Sequence, residues 1–253
     1  MAIMRNISKG RLLVIMLSLT IFIMTANSSA QDPPDYDKVS TTAGNVVMNF
    51  IGHGSLMFRL DTFSVYIDPV SSSGDYQNLP RADLILITHE HSDHLDLKLI
   101  SELKKPGTLV FSSVKATEKL PWAMAMKPGD RQEVNSIVIE AVHAYNIVNM
   151  RAPGQPFHPK GSGVGYILTI GGKLFYIAGD TENIPEMKAL TDIEVAFLPM
   201  NLPYTMTPEM VADAARAFKP RILYPYHYGD TNTDELVNLL KGSGIEVRIR
   251  NLK

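Results

Sequence analysis

Residues 82–94 read ADLILITHEHSDH, an apolar segment that ends in three histidines and an aspartate within six positions. Its apolar part is typical of a strand that is buried on both faces. His89 and His91 are two positions apart, so on an extended chain they share a face and can contact one ion. A turn after them would direct Asp93 and His94 toward a second ion. Neutral imidazole and carboxylate groups suit zinc, manganese or iron, and the segment therefore predicts a metal site.

A solvated polar loop after a strand is the other interpretation of this cluster. It leaves unexplained why groups that would repel one another when protonated are gathered in so few positions. The cluster therefore favours metal binding over an ordinary surface loop.

The composition narrows the kind of site. The chain has 253 residues, of which 45% are hydrophobic and 20% charged, and it contains no cysteine. A chain of this length can bury a core without disulfides. Without cysteine, thiolate nucleophiles and cysteine-ligated zinc are excluded, and histidine and carboxylate remain as the strong metal ligands. There is no basic run of the kind that binds nucleic acid, so we expect a small-molecule substrate and no nucleic-acid partner.

The first thirty residues have the features of a signal peptide. A positive stretch, residues 5–11, precedes the apolar run Leu12–Met24, and small residues follow up to Ala30. The apolar run has 13 residues, too few to cross ~30 Å of hydrocarbon as a helix, so an uncleaved anchor is the less favoured alternative. We expect residues 1–30 to be removed near Ala30 and the protein to be periplasmic or secreted, with no stable membrane insertion after cleavage. The oligomeric state is left open.

The remaining chain predicts one domain. Residues 31–43 are polar and contain prolines, and we expect a flexible leader there, followed by a domain over residues 44–253. Strands dominate first, and strands then alternate with helices, which indicates helices that cover sheets. Gly171-Gly172 predicts a hairpin, and Thr207-Pro208 predicts the start of a helix.

The histidine cluster resembles the signature of the metallo-β-lactamase superfamily, and other motifs follow the order of that superfamily. They are Asp68 in YIDP, His143 in EAVHA, Asp180 in YIAGDT and His227 in YPYH. The resemblance implies an α/β fold, a four-layer αββα sandwich of a single domain with a binuclear metal centre. It implies His89, His91 and His143 at the first metal, Asp93, His94 and His227 at the second, Asp180 as the bridge, and Asp68 as support for the site.

A metal-dependent hydrolase is the function that this resemblance implies. Two divalent ions, zinc first with Mn²⁺ or Fe²⁺ as alternatives, would acidify a bridging water to a hydroxide that attacks an ester, lactone or phosphodiester. Asp93 would be catalytic, orienting the hydroxide or shuttling its proton. The motifs at residues 51–54 and 158–161 resemble the branch of ascorbate-6-phosphate lactonase-like and N-acylphosphatidylethanolamine phospholipase D-like hydrolases. The missing cysteine counts against a β-lactam hydrolase, which stays an alternative beside a metal-binding or ligand-binding scaffold without turnover.

Five further residues are candidates for binding the substrate. They are His53, between two glycines, His158 and Lys160, in the Gly/Pro-rich loop 146–163, and Asn201 and Tyr204, which follow an apolar strand. The alternatives are a single buried hydrogen bond for His53, a solvated loop for His158 and Lys160, and turn chemistry for Asn201 and Tyr204. We expect these residues to border the cleft.

Overall fold

The structure, a computed structural model, describes residues 35–253. The predicted signal peptide, residues 1–30, lies outside the described residues. Across residues 35–253, no helix combines the length and the apolar character needed to cross a bilayer.

Two seven-stranded mixed sheets contain 14 of the 16 strands of the described residues. The first follows chain order and contains β1 (Tyr36–Thr41), β2 (Gly44–Gly52), β3 (Ser55–Leu60), β4 (Phe63–Ile67), β5 (Ala82–Ile87), β6 (Lys104–Ser113) and β7 (Met124–Met126). The second contains β8 (Arg131–Val134), β9 (Ile137–Ala144), β12 (Gly163–Ile170), β13 (Lys173–Ile177), β14 (Ile193–Pro199), β15 (Ile222–Tyr226) and β16 (Glu246–Val247), in the spatial order β16-β15-β14-β13-β12-β9-β8. A separate small hairpin, β10 (Met150–Ala152) and β11 (Gln155–Pro156), lies in the loop between β9 and β12.

The flexible leader expected over residues 31–43 is wrong for its described part. Residues Tyr36–Thr41 form β1, which pairs antiparallel with β2 along its whole length. Val39 is buried in the core, and Asp37 binds Arg250 from the far end of the chain. These long-range contacts order the segment, and a polar local sequence does not reveal them.

Helices cover the outer faces of the sheets. They are α1 (Leu97–Leu103), α2 (Pro185–Lys188), α3 (Pro208–Phe218) and α4 (Thr233–Leu239), with a short 3₁₀ helix at Ala116–Glu118. The predicted start of α3 is confirmed, because the Thr207 side chain accepts a hydrogen bond from the Met210 backbone N–H and Pro208 follows it. The Gly171-Gly172 hairpin between β12 and β13 is confirmed as well.

The main core lies between the two sheets. Phe197 and Tyr224 of the second sheet stack with ring centroids 5.0 Å apart, and Phe58 of the first sheet packs 5.8 Å from Phe197. A second cluster packs α3 against the outer face of one sheet, and a third packs α1 against the other. The four-layer αββα sandwich of a single domain is thereby confirmed.

Strand direction brings the predicted site residues to one edge of the sandwich. β4 runs parallel to β5, and β13, β14 and β15 are mutually parallel. Parallel strands end at the same edge, where ligand sites of such sheets are commonly built. Asp68, His89, Asp180, Asn201 and His227 all follow the ends of these strands.

Candidate metal centre

The segment after β5 turns sharply between His91 and Leu95. The backbone N–H groups of His94 and Leu95 both donate to the carbonyl of His91, at 3.0 and 2.9 Å. His89 Nε2 and His91 Nδ1 lie 3.1 Å apart before the turn, and His94 is directed elsewhere after it. The turn therefore divides the cluster into two groups, as the sequence predicted.

Asp180 lies at the middle of the cluster and is buried. Its Oδ2 lies 3.2 Å from His158 Nε2, 3.5 Å from His227 Nε2 and 3.8 Å from His89 Nε2. Its Oδ1 lies 3.4 Å from His94 Nε2. Asp180 thus faces both groups of histidines, and a metal ion bound to either group would lie beside its carboxylate.

Asp93 faces the second group. Its Oδ2 lies 3.4 Å from the Nε2 atoms of both His227 and His53, and 3.9 Å from His94 Nε2. The rings of His53 and His227 are 3.8 Å apart between centroids. His53, expected to line the cleft, thus lies beside the ligand atoms, and half of the Asp93 side chain remains exposed to the cleft.

Asp68 fixes the orientation of His94, as the resemblance implied. It is fully buried, and it accepts hydrogen bonds from the Thr88 backbone N–H at 2.7 Å and from the Thr88 hydroxyl at 2.6 Å. His94 Nδ1 lies 2.8 Å from the same carboxylate. An Nδ1–H that donates to Asp68 leaves Nε2 free to bind a metal, which is the usual arrangement behind a metal-ligating histidine. The site of Gly54 leaves room for this ring, because a Cβ there would lie 2.8 Å from His94 Cε1.

His158 takes the position expected for His143, which corrects the predicted ligand set. His89, His91 and His158 offer ligand atoms that all lie within 4.8 Å of one another. His143 belongs to none of the three potential ligand groups among the described residues, and it lines a different cavity with Tyr176 and Met187. His143 is held within β9, where it pairs with Val164, whereas the loop after β9 folds back and returns His158 to Asp180.

A buried carboxylate holds this returning loop. Glu182 accepts hydrogen bonds from the backbone N–H groups of Ile147, Val148 and Asn149, at 2.6–2.8 Å, and from the Asn146 side chain at 3.1 Å. Asn146 in turn contacts His158. The sequence predicted no role for Glu182 or Asn146, although Asn146 is the first residue of the candidate loop 146–163.

The donor set fits divalent metal ions. His94 Nε2, His227 Nε2 and Asp180 Oδ1 are buried and have no hydrogen-bond partner, although each points into the same cluster. The distances between neighbouring ligand atoms are close to the ~3.4 Å that separates ligands around a tetrahedral ion with bonds of ~2.1 Å. Unpaired buried polar atoms are costly, so their convergence is best explained by ions that bind them.

The charges of the cluster are consistent with this fit. Burial, and then the neighbouring His94, hold the pKa of His89 well below its usual value, so that the ring is neutral, as a metal ligand must be. Burial alone would raise the pKa of Asp180, but the nearby His227 and His94 keep that pKa well below its usual value. Burial would lower the pKa of His94, but Asp180 and Asp68 outweigh it and raise the pKa to about 9. A positive charge is favoured at this position, and a metal ion at Nε2 would supply one.

Three site residues adopt left-handed backbone conformations that side chains other than glycine rarely take. The φ angles are 50° at His53, 44° at Asp68 and 49° at His227. The backbone N–H of His227 donates to the carbonyl of His53, which ties two of these strained positions together. Strain of this kind concentrates at functional sites, where the surrounding structure holds it in place.

A cleft of about 590 Å³ opens beside the cluster. Asn201 and Tyr204 line it, as expected, and so do Arg151 and Phe157, which the sequence reasoning missed. Lys160, expected to bind substrate, is not among the lining residues. It forms an ion pair with Glu186 at 2.7 Å and lies over the Tyr145 ring, because the turn after His158 directs it away from the cleft.

The αββα sandwich with a histidine–aspartate cluster at the strand ends defines the class of metallo-β-lactamase-fold proteins. Residues 47–227 match the model of the β-lactamase superfamily domain, and the chain belongs to this family. Together with the histidine–aspartate cluster, this makes the protein a metal-dependent hydrolase of the superfamily.

Known relatives agree with this assignment. A crystal structure from Parabacteroides distasonis, of a protein provisionally described as a metal-dependent hydrolase, is 50% identical, with a TM-score of 0.82 over 87% of this chain and 99% of that one. The UPF0173 metal-dependent hydrolase of Solibacter usitatus is 28% identical over 79% of this chain and 94% of its own. The metallo hydrolase Igni18 of Ignicoccus hospitalis is 23% identical, covers 82% of this chain and 95% of its own, and shares the fold with a TM-score of 0.68.

Proposed function

We propose that the protein hydrolyses an ester, lactone or phosphodiester bond of a small molecule, using two divalent metal ions, with zinc as the first candidate. The observation that carries the proposal is the convergence of unpartnered buried ligand atoms on Asp180, next to an open cleft. His89, His91 and His158 would hold one ion, Asp93, His94 and His227 the other, and Asp180 would contact both. His53 stands close enough to be a further ligand of the second group.

Bound metal ions would supply a water acidified toward neutral pH and would polarise the substrate oxygen. The protein's own groups do the rest. Asp93 is the one carboxylate of the cluster that is half exposed to the cleft, so it is placed to orient the attacking water and to accept its proton. His53, 3.4 Å from that carboxylate, is placed to steady it.

Asp68 and Asn146 lie behind two of these histidines, His94 and His158, and bind their rings. Each holds the Nδ1 side of a histidine so that Nε2 points to the centre. Held in this way, the rings do not need to reorganise when an ion binds, which favours tight binding.

The test combines metal analysis with a panel of reporters. The purified protein is expected to contain close to two metal ions per chain and to lose activity on chelation and regain it with Zn²⁺. The panel is nitrocefin for β-lactams, p-nitrophenyl butyrate for esters, γ-thiobutyrolactone for lactones and bis(p-nitrophenyl) phosphate for phosphodiesters. Asp180→Asn should abolish metal retention and turnover, whereas the exposed Asp213→Asn, on α3, should change neither.

Three results would contradict the proposal. Turnover that survives complete metal removal would exclude the metal-dependent chemistry. A fully loaded protein without turnover on the ester, lactone or phosphodiester reporters would favour the scaffold alternative, and turnover of nitrocefin alone would favour the β-lactam hydrolase.

We also propose that the protein is exported. The signal-like segment 1–30, a positive stretch followed by an apolar run and small residues, supports this. N-terminal sequencing of the protein from the periplasmic and extracellular fractions should find a start at Gln31. A chain that keeps Met1 or remains in the cytoplasm would contradict the proposal.

A further inference from the structure

Arg151 lies at the cleft, and among residues 35–253 its side chain makes one hydrogen bond. Among the described residues that line the cleft it is the one arginine or lysine. Its Nη2 donates to the Phe157 carbonyl at 3.0 Å, and its guanidinium lies 5.7 Å from the centre of the Phe157 ring. No carboxylate of the described residues lies within ion-pair distance of it. A guanidinium has five N–H donors, so four remain for a ligand.

The hairpin that carries Arg151 is fixed relative to the histidine–aspartate cluster. It lies on β10, whose partner β11 leads through Phe157 directly to His158. Glu182 anchors the start of this hairpin through three backbone N–H groups, and His158 anchors its end at Asp180. The backbone at Arg151 is therefore held at both ends of the hairpin, and the hydrogen bond to the Phe157 carbonyl keeps its guanidinium at the cleft.

Apolar side chains are exposed on the two loops beside this part of the cleft, and one of them, Tyr204, lines the cleft together with Arg151. We use the name apolar rim for the exposed side chains of Ile147, Val148, Leu202 and Tyr204. Val148 is 71% exposed and Leu202 is 50% exposed. Two hydrogen bonds hold the loops of the rim together, one from Asn146 Nδ2 to the Tyr204 carbonyl and one from Asn149 Nδ2 to the Thr205 carbonyl. Large apolar side chains exposed together mark a binding surface more often than a plain solvated one.

We propose that the substrate is an anionic amphiphile: a phosphate or carboxylate group bound by Arg151, joined to an alkyl or acyl chain that lies on the rim. Its chemistry follows from the groups that meet at the cleft. The histidine–aspartate cluster and Arg151 line it together with Phe157 and Tyr204, whose rings are 5.1 Å apart, and Tyr204 belongs to the apolar rim. Two divalent ions would exceed the negative charge of Asp93 and Asp180, and the whole cleft would then attract an anion. The inference rests on the proposed function, since it names the substrate of the same site.

Alkylphosphonic acids test the inference without turnover, because they carry the anion and the chain but no hydrolysable ester. Binding of methyl-, butyl- and octylphosphonic acid to the zinc-loaded protein is measured by calorimetry. We expect affinity to rise roughly twofold per methylene, since the rim can cover only one side of the chain. Arg151→Gln should weaken all three by about tenfold, because it removes a charge-assisted contact. The exposed Arg131→Gln, on β8, is the matched control and should have no effect.

The rim is tested with Val148→Ser. This variant should reduce the gain from butyl to octyl and leave methylphosphonate binding unchanged, whereas Val237→Ser, on α4, should leave the whole series unchanged. Equal affinities of wild-type protein and Arg151→Gln, or affinities that do not depend on chain length, would overturn the proposal. A chain-length effect that Val148→Ser leaves intact would overturn it as well.

Failure of this inference is distinguishable from failure of the proposed function. If the protein hydrolyses a reporter but Arg151→Gln binds the phosphonates as tightly as the wild type, the inference is wrong and the proposed function stands. Phosphonate binding that depends on Arg151 and chain length, in a metal-loaded protein without reporter turnover, contradicts the hydrolase and supports the recognition site.

Discussion

The Oδ1 atom of Asn146 accepts two hydrogen bonds from His158, one from its backbone N–H at 2.7 Å and one from its ring at Nδ1 at 2.8 Å. A backbone N–H can only donate, so the amide atom that faces it is the oxygen, and Nδ1 must carry the ring proton. His158 Nε2 is then the free atom that points to Asp180. One asparagine thereby sets both the place and the tautomer of a ligand that lies 12 positions away.

Asn146→Ala should weaken metal binding without unfolding the protein. Loss of a partner behind a metal-ligating histidine typically costs 10–100-fold in metal affinity, and we expect about that loss for one of the two ions. Competition with a chromophoric zinc chelator measures it. Asn149→Ala is the control, since Asn149 holds the same loop through Thr205 but does not contact His158. Equal metal affinities of the two variants would show that Asn146 acts only on the loop.

The assignment of His158 rather than His143 as a metal ligand is tested by replacing each histidine with glutamine. His158→Gln should lose at least one metal ion and lower kcat/KM by about 10³-fold or more, because it removes a ligand of the reacting centre. His143→Gln should keep its metal content, because this histidine lines a separate cavity. Metal analysis after gel filtration distinguishes the two. Loss of metal in His143→Gln, with retention in His158→Gln, would restore the ligand set that the sequence alone implied.

Asp68→Asn should destabilise the fold as well as the site. The new amide must direct a donor at His94 or Thr88, which already donate, so at least one buried donor is left without an acceptor. We expect a loss of about 2–4 kcal/mol in the free energy of unfolding, measured with the metal-free protein in urea. Asp61→Asn, at an exposed turn with φ of 53°, should change this free energy by less than about 0.5 kcal/mol, because asparagine tolerates positive φ. A cost confined to metal binding would show that Asp68 does not support the fold.

The contacts of Asp37 lead us to expect a free energy of unfolding that depends on pH. Burial would raise its pKa, but hydrogen bonds from Tyr224 and Arg250 and the charges of Arg250 and Arg248 together lower it. A folded pKa below the unfolded value stabilises the protein above the unfolded pKa, near 3.8, and this stabilisation is lost as the pH falls through the folded pKa.

The measurement compares wild-type protein with Asp37→Asn across that range. The wild type should be more stable at pH 7, and the difference should shrink steadily below pH ~4. A difference that stays constant down to pH 2 would mean that the pair acts through packing rather than charge.

Much of the centre was predictable because its ligands sit in short motifs at strand ends. The apolar run before His89, the spacing of His89 and His91, and the apolar strands before Asp68, Asp180 and His227 are all local patterns. Local patterns fix strand identity and the face that a side chain takes. The ends of parallel strands then bring the residues of each sheet to one edge, and the packing of the two sheets brings the two edges together.

The choice between His143 and His158 was decided by tertiary structure. Both histidines lie between β8 and β12, and chain order is satisfied by either. The selection depends on Glu182, which binds the loop backbone from a position more than thirty residues away. A lone glutamate after a strand has no periodicity that would predict such contacts.

The two cations of the loop between β9 and β12 likewise depend on tertiary structure for their positions. Lys160 and Arg151 are both cations in one Gly/Pro-containing loop region, and the sequence offers no reason to prefer either. The hairpin β10–β11 directs Arg151 inward, whereas Glu186 holds Lys160 outside. The sequence by itself predicted the fold class and most of the residues that meet in the cluster, because its short motifs at strand ends resemble those of a known superfamily in the same order. Only the tertiary structure decided the third histidine and the cation at the cleft, because long-range hydrogen bonds and ion pairs set the path of the loop.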